Sequence, residues 1–194
     1  TSVTLNSTGA VTQSNLISTP SLLLLGTNGT YTLTNTSNAI TTLAGNTGTV
    51  SFLENSGYAI GTVGSTVGLT TSGNTTLSST GTVTQSAAIA AAGLELLGTG
   101  GIYTLTNTGN AITTLAGNTG TISFLENSGF DIGTVNTVGL TTTGNTTLSS
   151  TGTVTQSQKV SAVGLELLGV NGVFTLTNTS NAITTLAGNT GTVS

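Results

Sequence analysis

The chain has 194 residues, with one Lys or Arg, five Asp or Glu, and no His, Cys, Met or Trp. Charged residues make up 3% of it, against about a quarter in an ordinary soluble domain, and the net charge is -4. These numbers exclude His- or Cys-based catalytic triads, zinc fingers, haem and iron–sulfur ligation, and any basic footprint for nucleic acid.

The elements follow a long internal repeat. Tyr31-TLTNTSNAITTLAGNTGTVSFLENSGYAIGTV returns from Tyr103 as TLTNTGNAITTLAGNTGTISFLENSGFDIGTV, and again from Phe174 until the chain stops at Ser194. The first interval runs from Tyr31 to Tyr103, and the second, from Tyr103 to Phe174, is one residue shorter. The missing residue lies where Gly64-Ser65-Thr66 faces Asn136-Thr137. A joining segment, GNTTLSSTGTVTQS, recurs from Gly73 and Gly144, with a degenerate copy from Thr4. The chain is therefore read as one continuous unit of about 2.7 copies, divided 1–30, 31–102, 103–173 and 174–194. It opens and stops within a copy, so we expect an internal segment of something longer.

Within a copy, apolar residues alternate over short runs, as in Tyr31/Leu33 and Val50/Phe52. Runs of β-branched and aromatic residues bounded by Asn and Gly predict strands. In copy two these are Ile102–Thr106, Ala111–Leu115, Thr121–Leu125, Phe130–Val135, Val138–Thr142, Thr146–Ser149, Thr153–Gln156, Val160–Val163 and Leu165–Leu168. Their close spacing is too short for βαβ units and carries no helical period. Such an array cannot close into one globular core, but it can stack. We therefore expect an all-β fold: a parallel β-helix with three short strands per coil, each strand pairing with its counterpart about 4.8 Å away. Inward positions take Leu, Ile, Val and Phe, corners take Gly and Asn, and outward positions take Thr and Ser. Stacked charges would repel at that spacing, which accounts for their scarcity. Nine strands fit three coils of about 24 residues per copy, with four coils of about 18 residues the competing parse.

The run GNTTLSSTGTVTQS, followed by LELLG, YTLTNTGNAITTLAG and GTISFLENSG, resembles the β-strand repeats of large bacterial exoproteins of the filamentous haemagglutinin type. The resemblance covers essentially the whole chain. It implies a right-handed β-helical rod, secreted through a partner outer-membrane pore or as an autotransporter passenger, located outside the cell or on its surface, and acting in adhesion, aggregation or biofilm formation. End-to-end or lateral self-association and contact with host, neighbouring-cell or matrix surfaces are the expected partnerships. No membrane-spanning stretch and no nucleic-acid partner are expected.

No residue is assigned a catalytic, cofactor-binding or metal role, and an enzyme is not expected. The acids are Glu54, Glu95, Glu126, Asp131 and Glu166, with Glu54/Glu126 and Glu95/Glu166 at equivalent positions; they read as solvated groups near corners. Asp131 replaces Ala59, and with Glu126 it offers too few oxygens for calcium. The sets Asn35/Asn107/Asn178, Asn38/Asn110/Asn181 and Asn46/Asn118/Asn189 read as corners that tolerate positive φ and cap backbone groups. Asn6, Asn28, Asn35, Asn74, Asn145 and Asn178 sit in glycosylation sequons, which arise by chance in an Asn/Thr-rich chain. Thr-x-Thr at Thr32/Thr34, Thr82/Thr84, Thr104/Thr106, Thr153/Thr155 and Thr175/Thr177 raises an ice-binding solenoid as the alternative function, although other strands break the ladder. A polysaccharide-binding or lyase-type β-helix is a more distant alternative. The exchange of Tyr for Phe at 31/103/174 and at 58/130 suggests packing aromatics whose hydroxyl is dispensable. Lys159, replacing Ala88, is expected to point outward.

Overall fold

The computed structural model describes residues 1–194. The chain is all-β, and strands of successive turns pair in parallel throughout the main sheet. It forms a β-solenoid of about nine turns spaced about 21 residues apart. At about 4.8 Å per turn this is a rod roughly 40 Å long.

The alternation of apolar and polar residues turns one face of every strand inward. The resulting core is one continuous column of 32 buried side chains, from Leu22 to Phe174. Tyr31, Phe52, Tyr103, Phe124 and Phe174 are its largest fully buried members. Where the chain bends, alternation slips by one residue. Ala91 and Leu94 both point inward, with the corner at Ala92-Gly93 between them. Strands expected as separate pieces therefore run on around bends: Ile89–Leu105 and Val160–Thr175 are each continuous. A bulge between Gly98 and Ile102 absorbs the bend, with Gly98 at φ 122°.

The expected coil length is corrected. Tyr31 pairs with Val50, Val50 with Thr75, and Thr75 with Leu94. Three turns thus run from Tyr31 to Leu94, and the turns, about 21 residues each, are shorter than the coil expected from three equal divisions of a copy. A whole copy, from Tyr31 to Tyr103, overshoots three turns by the stretch from Leu94 to Tyr103, about one side of the coil. Leu94, the counterpart of Leu22, consequently stands above Tyr31 on the same ladder, whereas Leu22 stands below Leu43. Tyr103 lies on a second ladder, with Val83 below and Ile122 above, and Phe174 on a third, with Val154 below. Copies do not stack on their own images. Each is rotated by one side relative to the last, so the internal ladders mix residue types.

One strand pair departs from the parallel scheme. Thr62–Val63 and Thr66–Val67 form an antiparallel hairpin inserted between Ile60 and Leu69. In copy two the same place holds Gly133–Gly139, closed by the bridge Thr134↔Val138. The expected strands Phe130–Val135 and Val138–Thr142 are thereby shortened to Asp131–Ile132 and Leu140–Thr142. The one-residue length difference between copies falls at the hairpin tip, where it leaves the coil undisturbed.

Candidate functional site

The two hairpins fold back over the turns beneath them. Val63 packs against Leu23 and Ala44, and all three are buried. In copy two the position of Leu23 is taken by Glu95, and the hairpin meets it with polar groups. The Asn136 side-chain amide donates to Glu95 Oε2 at 2.8 Å, and the Thr137 backbone N–H donates to Oε1 at 2.5 Å. Thr76, from the turn below, donates its hydroxyl to Oε2 at 2.8 Å. Val135 lies over Gly93, where a Cβ would come within 2.9 Å of it. Glu95 is 1% exposed. Burial alone would raise its carboxyl pKa, but the donors Asn136, Thr137 and Thr76 reverse this and hold it below the ordinary carboxylate range. In copy three the equivalent Glu166 is exposed and keeps only the Thr147 hydroxyl, which donates at 3.0 Å.

The reading of the acids as solvated is corrected for three of the five. Glu54 and Glu126 are buried, as Glu95 is. Glu54 turns back on its own corner and accepts the Ser56 N–H at 3.0 Å, the Gly57 N–H at 2.6 Å and the Ser56 hydroxyl. Glu126 repeats this with Ser128 and Gly129. Each carboxylate satisfies backbone donors that the bend would otherwise leave unpaired. Asp131 instead accepts hydroxyls from Thr155 at 2.8 Å and Ser157 at 2.6 Å in the next turn. No three His, Cys, Asp or Glu side chains come together. Lys159 is exposed, as expected.

A second polar cluster stands at the Asn38-type corners. In copy two the Asn110 amide N–H groups reach Gln85 Oε1 (2.9 Å), Leu105 O (3.1 Å) and Leu125 O (3.0 Å). Its Oδ1 accepts from Gln85 Nε2 and from the Ile89 N–H, both at 2.9 Å. One buried side chain thus ties together backbone from successive turns. Asn38 with Gln13, and Asn181 with Gln156, repeat the pattern. The capping role expected of these Asn residues is what the structure shows. The Gln partner escaped the sequence reading; its recurrence at 13, 85 and 156, in phase with the Asn, was the available signal.

Asn35, Asn107 and Asn178 accept the N–H two residues on and cap their turns as expected. Positive φ lies elsewhere: the only non-glycine residues to adopt it are Asn28 and Asn171, each at 62°. Among the sequons, Asn6, Asn28, Asn74 and Asn145 are exposed, whereas Asn35 and Asn178 are half-buried, and Asn35 accepts the Ser37 N–H. The Thr-x-Thr residues point outward, but their stacks are short. Thr84 sits below Thr104, whereas Thr82 sits below Ile102 and Thr104 below Ser123.

The aromatics are corrected in part. The Tyr31 hydroxyl donates to Leu25 O at 2.5 Å, and that of Tyr103 to Leu97 O at 2.6 Å, so these hydroxyls close backbone groups at a bend. Tyr58 packs edge-on against Phe52 with its hydroxyl buried and unpartnered. Phe130 makes the equivalent contact with Phe124 without a hydroxyl, so at this position the hydroxyl is indeed dispensable.

Fold and polar corners together define a parallel β-solenoid built from a rotating repeat. The chain matches no protein-family model, no curated protein and no solved structure. No helix is long and apolar enough to cross a membrane.

Proposed function

We propose that this chain is a rod-forming segment of an extracellular or surface-anchored bacterial fibre, serving as stalk and as adhesive surface. The observation that carries the reading is the uninterrupted axial ladder. Each copy adds the same three turns and one side, and each buries its apolar residues only by stacking on the next, so rod length follows copy number. The resemblance to filamentous haemagglutinin-type repeats supports the assignment to a secreted adhesin.

The surface chemistry supports the adhesive part. Three of the six charged side chains are buried, and the outward positions are chiefly Thr, Ser and Asn. Contacts with a partner surface would rest on hydroxyl and amide hydrogen bonds and on van der Waals contact, repeated along the rod so that weak contacts add. The broken Thr stacks offer no extended lattice to favour ice binding.

Chains carrying added whole copies of the repeat test the rod: solution scattering should show growth of about 16 Å per copy, from the turn spacing. Beads coated with those chains test adhesion. Retention on cell or matrix surfaces should rise with copy number and persist in about 1 M salt, where exposed charge pairs are screened. Retention no better than that of an unrelated protein coat would refute the adhesive role, and growth without elongation would refute the rod.

A further inference from the structure

Two hairpins in this chain each cover one residue laid down about two turns earlier. Val63 covers Leu23, and Thr137 covers Glu95. The hairpin and the residue it covers change together. The longer GTVGSTVG meets Leu23 through an apolar contact, and the shorter GTVNTVG meets Glu95 through Asn136 and Thr137. The third member of the series has its seat but no hairpin. Glu166 lies in an open groove with Asn145, Thr147, Val163, Gly164 and Ala187. Gly164 leaves the same gap that Val135 fills over Gly93, and Thr147 already donates to Glu166 as Thr76 does to Glu95.

We propose that the groove around Glu166 is the docking site for a β-hairpin of the GTVNTVG kind carried by a following copy of the repeat. The hairpin would follow Glu166 by the same two turns that separate Asn136 from Glu95, and its Asn amide and adjoining backbone N–H would complete the ring of donors that Glu95 already has. The residue under the hairpin then acts as a register code. A Glu seat takes an Asn-tipped hairpin and a Leu seat takes the Gly-Ser-tipped one. A mismatch would bury either an unpaired carboxylate or an unpaired amide. Each copy thereby latches laterally onto the one before it, in addition to stacking on it.

The test extends the chain after Ser194, the counterpart of Ser123, with the sequence of residues 124–157. Glu166 and Glu95 carboxyl carbons are followed by NMR through a pH titration. With the Asn-tipped hairpin the Glu166 midpoint should fall toward that of Glu95. With the Gly-Ser-tipped hairpin, or with its Asn replaced by Ala, it should not fall. Glu95 reports in the same molecule that the scaffold is folded. An unchanged Glu166 beside a normal Glu95, or equal shifts from both hairpins, would overturn the proposal. A second arm needs no extension: Asn136-Thr137 is replaced in the existing chain by Gly-Ser-Thr. The Glu95 midpoint should rise, and a midpoint that stays low would overturn the code.

Discussion

Asn136 donates its side-chain amide to the carboxylate of Glu95, 2.8 Å away and 41 residues earlier in the chain. The bond joins a hairpin that stands outside the coil to a strand residue that would otherwise face water, and it makes the charge state of one acid a measure of lateral packing.

Stability should therefore depend on pH through Glu95. Its folded-state pKa lies below the unfolded value, so its contribution is complete above the ordinary carboxylate range, near about 4.3, and is lost as pH falls through the folded value. Thermal melts from neutral pH down into the acid range should show this loss. Glu95→Gln should flatten that part of the profile, and Asn136→Ala, which removes one of the donors that depress the folded value, should make the acid loss smaller. A Gln variant with the same profile as the parent would show that the dependence comes from elsewhere.

The Asn110 corner predicts a large local cost. Asn110→Ala removes the side-chain partner of Leu105 O, Leu125 O and the Ile89 N–H, and leaves the Gln85 amide only its bonds to Ala87 O and the Asn107 N–H. We expect a loss of about 3 kcal/mol, read by chemical denaturation. Gln85→Ala, which leaves the bonds from Asn110 to backbone in place, should cost less. Native-state hydrogen exchange should place the loosening at Ile89 and the turns beside it.

Tyr58 predicts a gain. Its hydroxyl is buried without a partner, while Phe130 fills the same position in the next copy. Tyr58→Phe should stabilise the chain by about 1 kcal/mol, and Phe130→Tyr should destabilise it by a similar amount. Both are measurable as shifts of the denaturation midpoint at constant slope.

Glycines 98 and 100 should behave oppositely although they are close neighbours in the same bend. Gly98 has φ 122°, and a Cβ there would collide with the backbone oxygen of Ser79, so Gly98→Ala should disrupt the turn. Gly100 has φ 76° and open space around it, and its counterparts Asn28 and Asn171 both adopt φ 62°. Gly100→Asn should be neutral or slightly stabilising, because the substituted unfolded chain has less freedom to lose. Equal losses from the two variants in a melt would contradict this reading of the bend.

The sequence by itself determined the material of this protein and its local shape. Alternating Val, Leu and Thr set strands with one apolar side, Asn-rich turns set capped corners, and the recurrence of the Tyr31 segment at Tyr103 and Phe174 set a stack in place of a closed globule. It also indicated that Lys159 faces outward and that Asn38, Asn110 and Asn181 cap backbone, because a lone charge avoids an apolar core and an Asn beside a turn competes for free backbone groups, although the bonds that reach neighbouring turns were not legible in it. Only the tertiary structure decided how copies sit on one another and which acids are buried. Turn length depends on how many residues leave the coil, and the hairpins at Gly61–Gly68 and Gly133–Gly139 look like ordinary strand pairs in the sequence. The turn that carries the first hairpin, Val50 to Thr75, is longer in sequence than its neighbours Tyr31 to Val50 and Thr75 to Leu94, and the three together are complete at Leu94, before the copy ends, so Leu94 stands above Tyr31 and each copy is rotated by one side. The burial of Glu95 follows from the same hairpins, because its donors arrive from Asn136 and Thr137, beyond the reach of any local pattern.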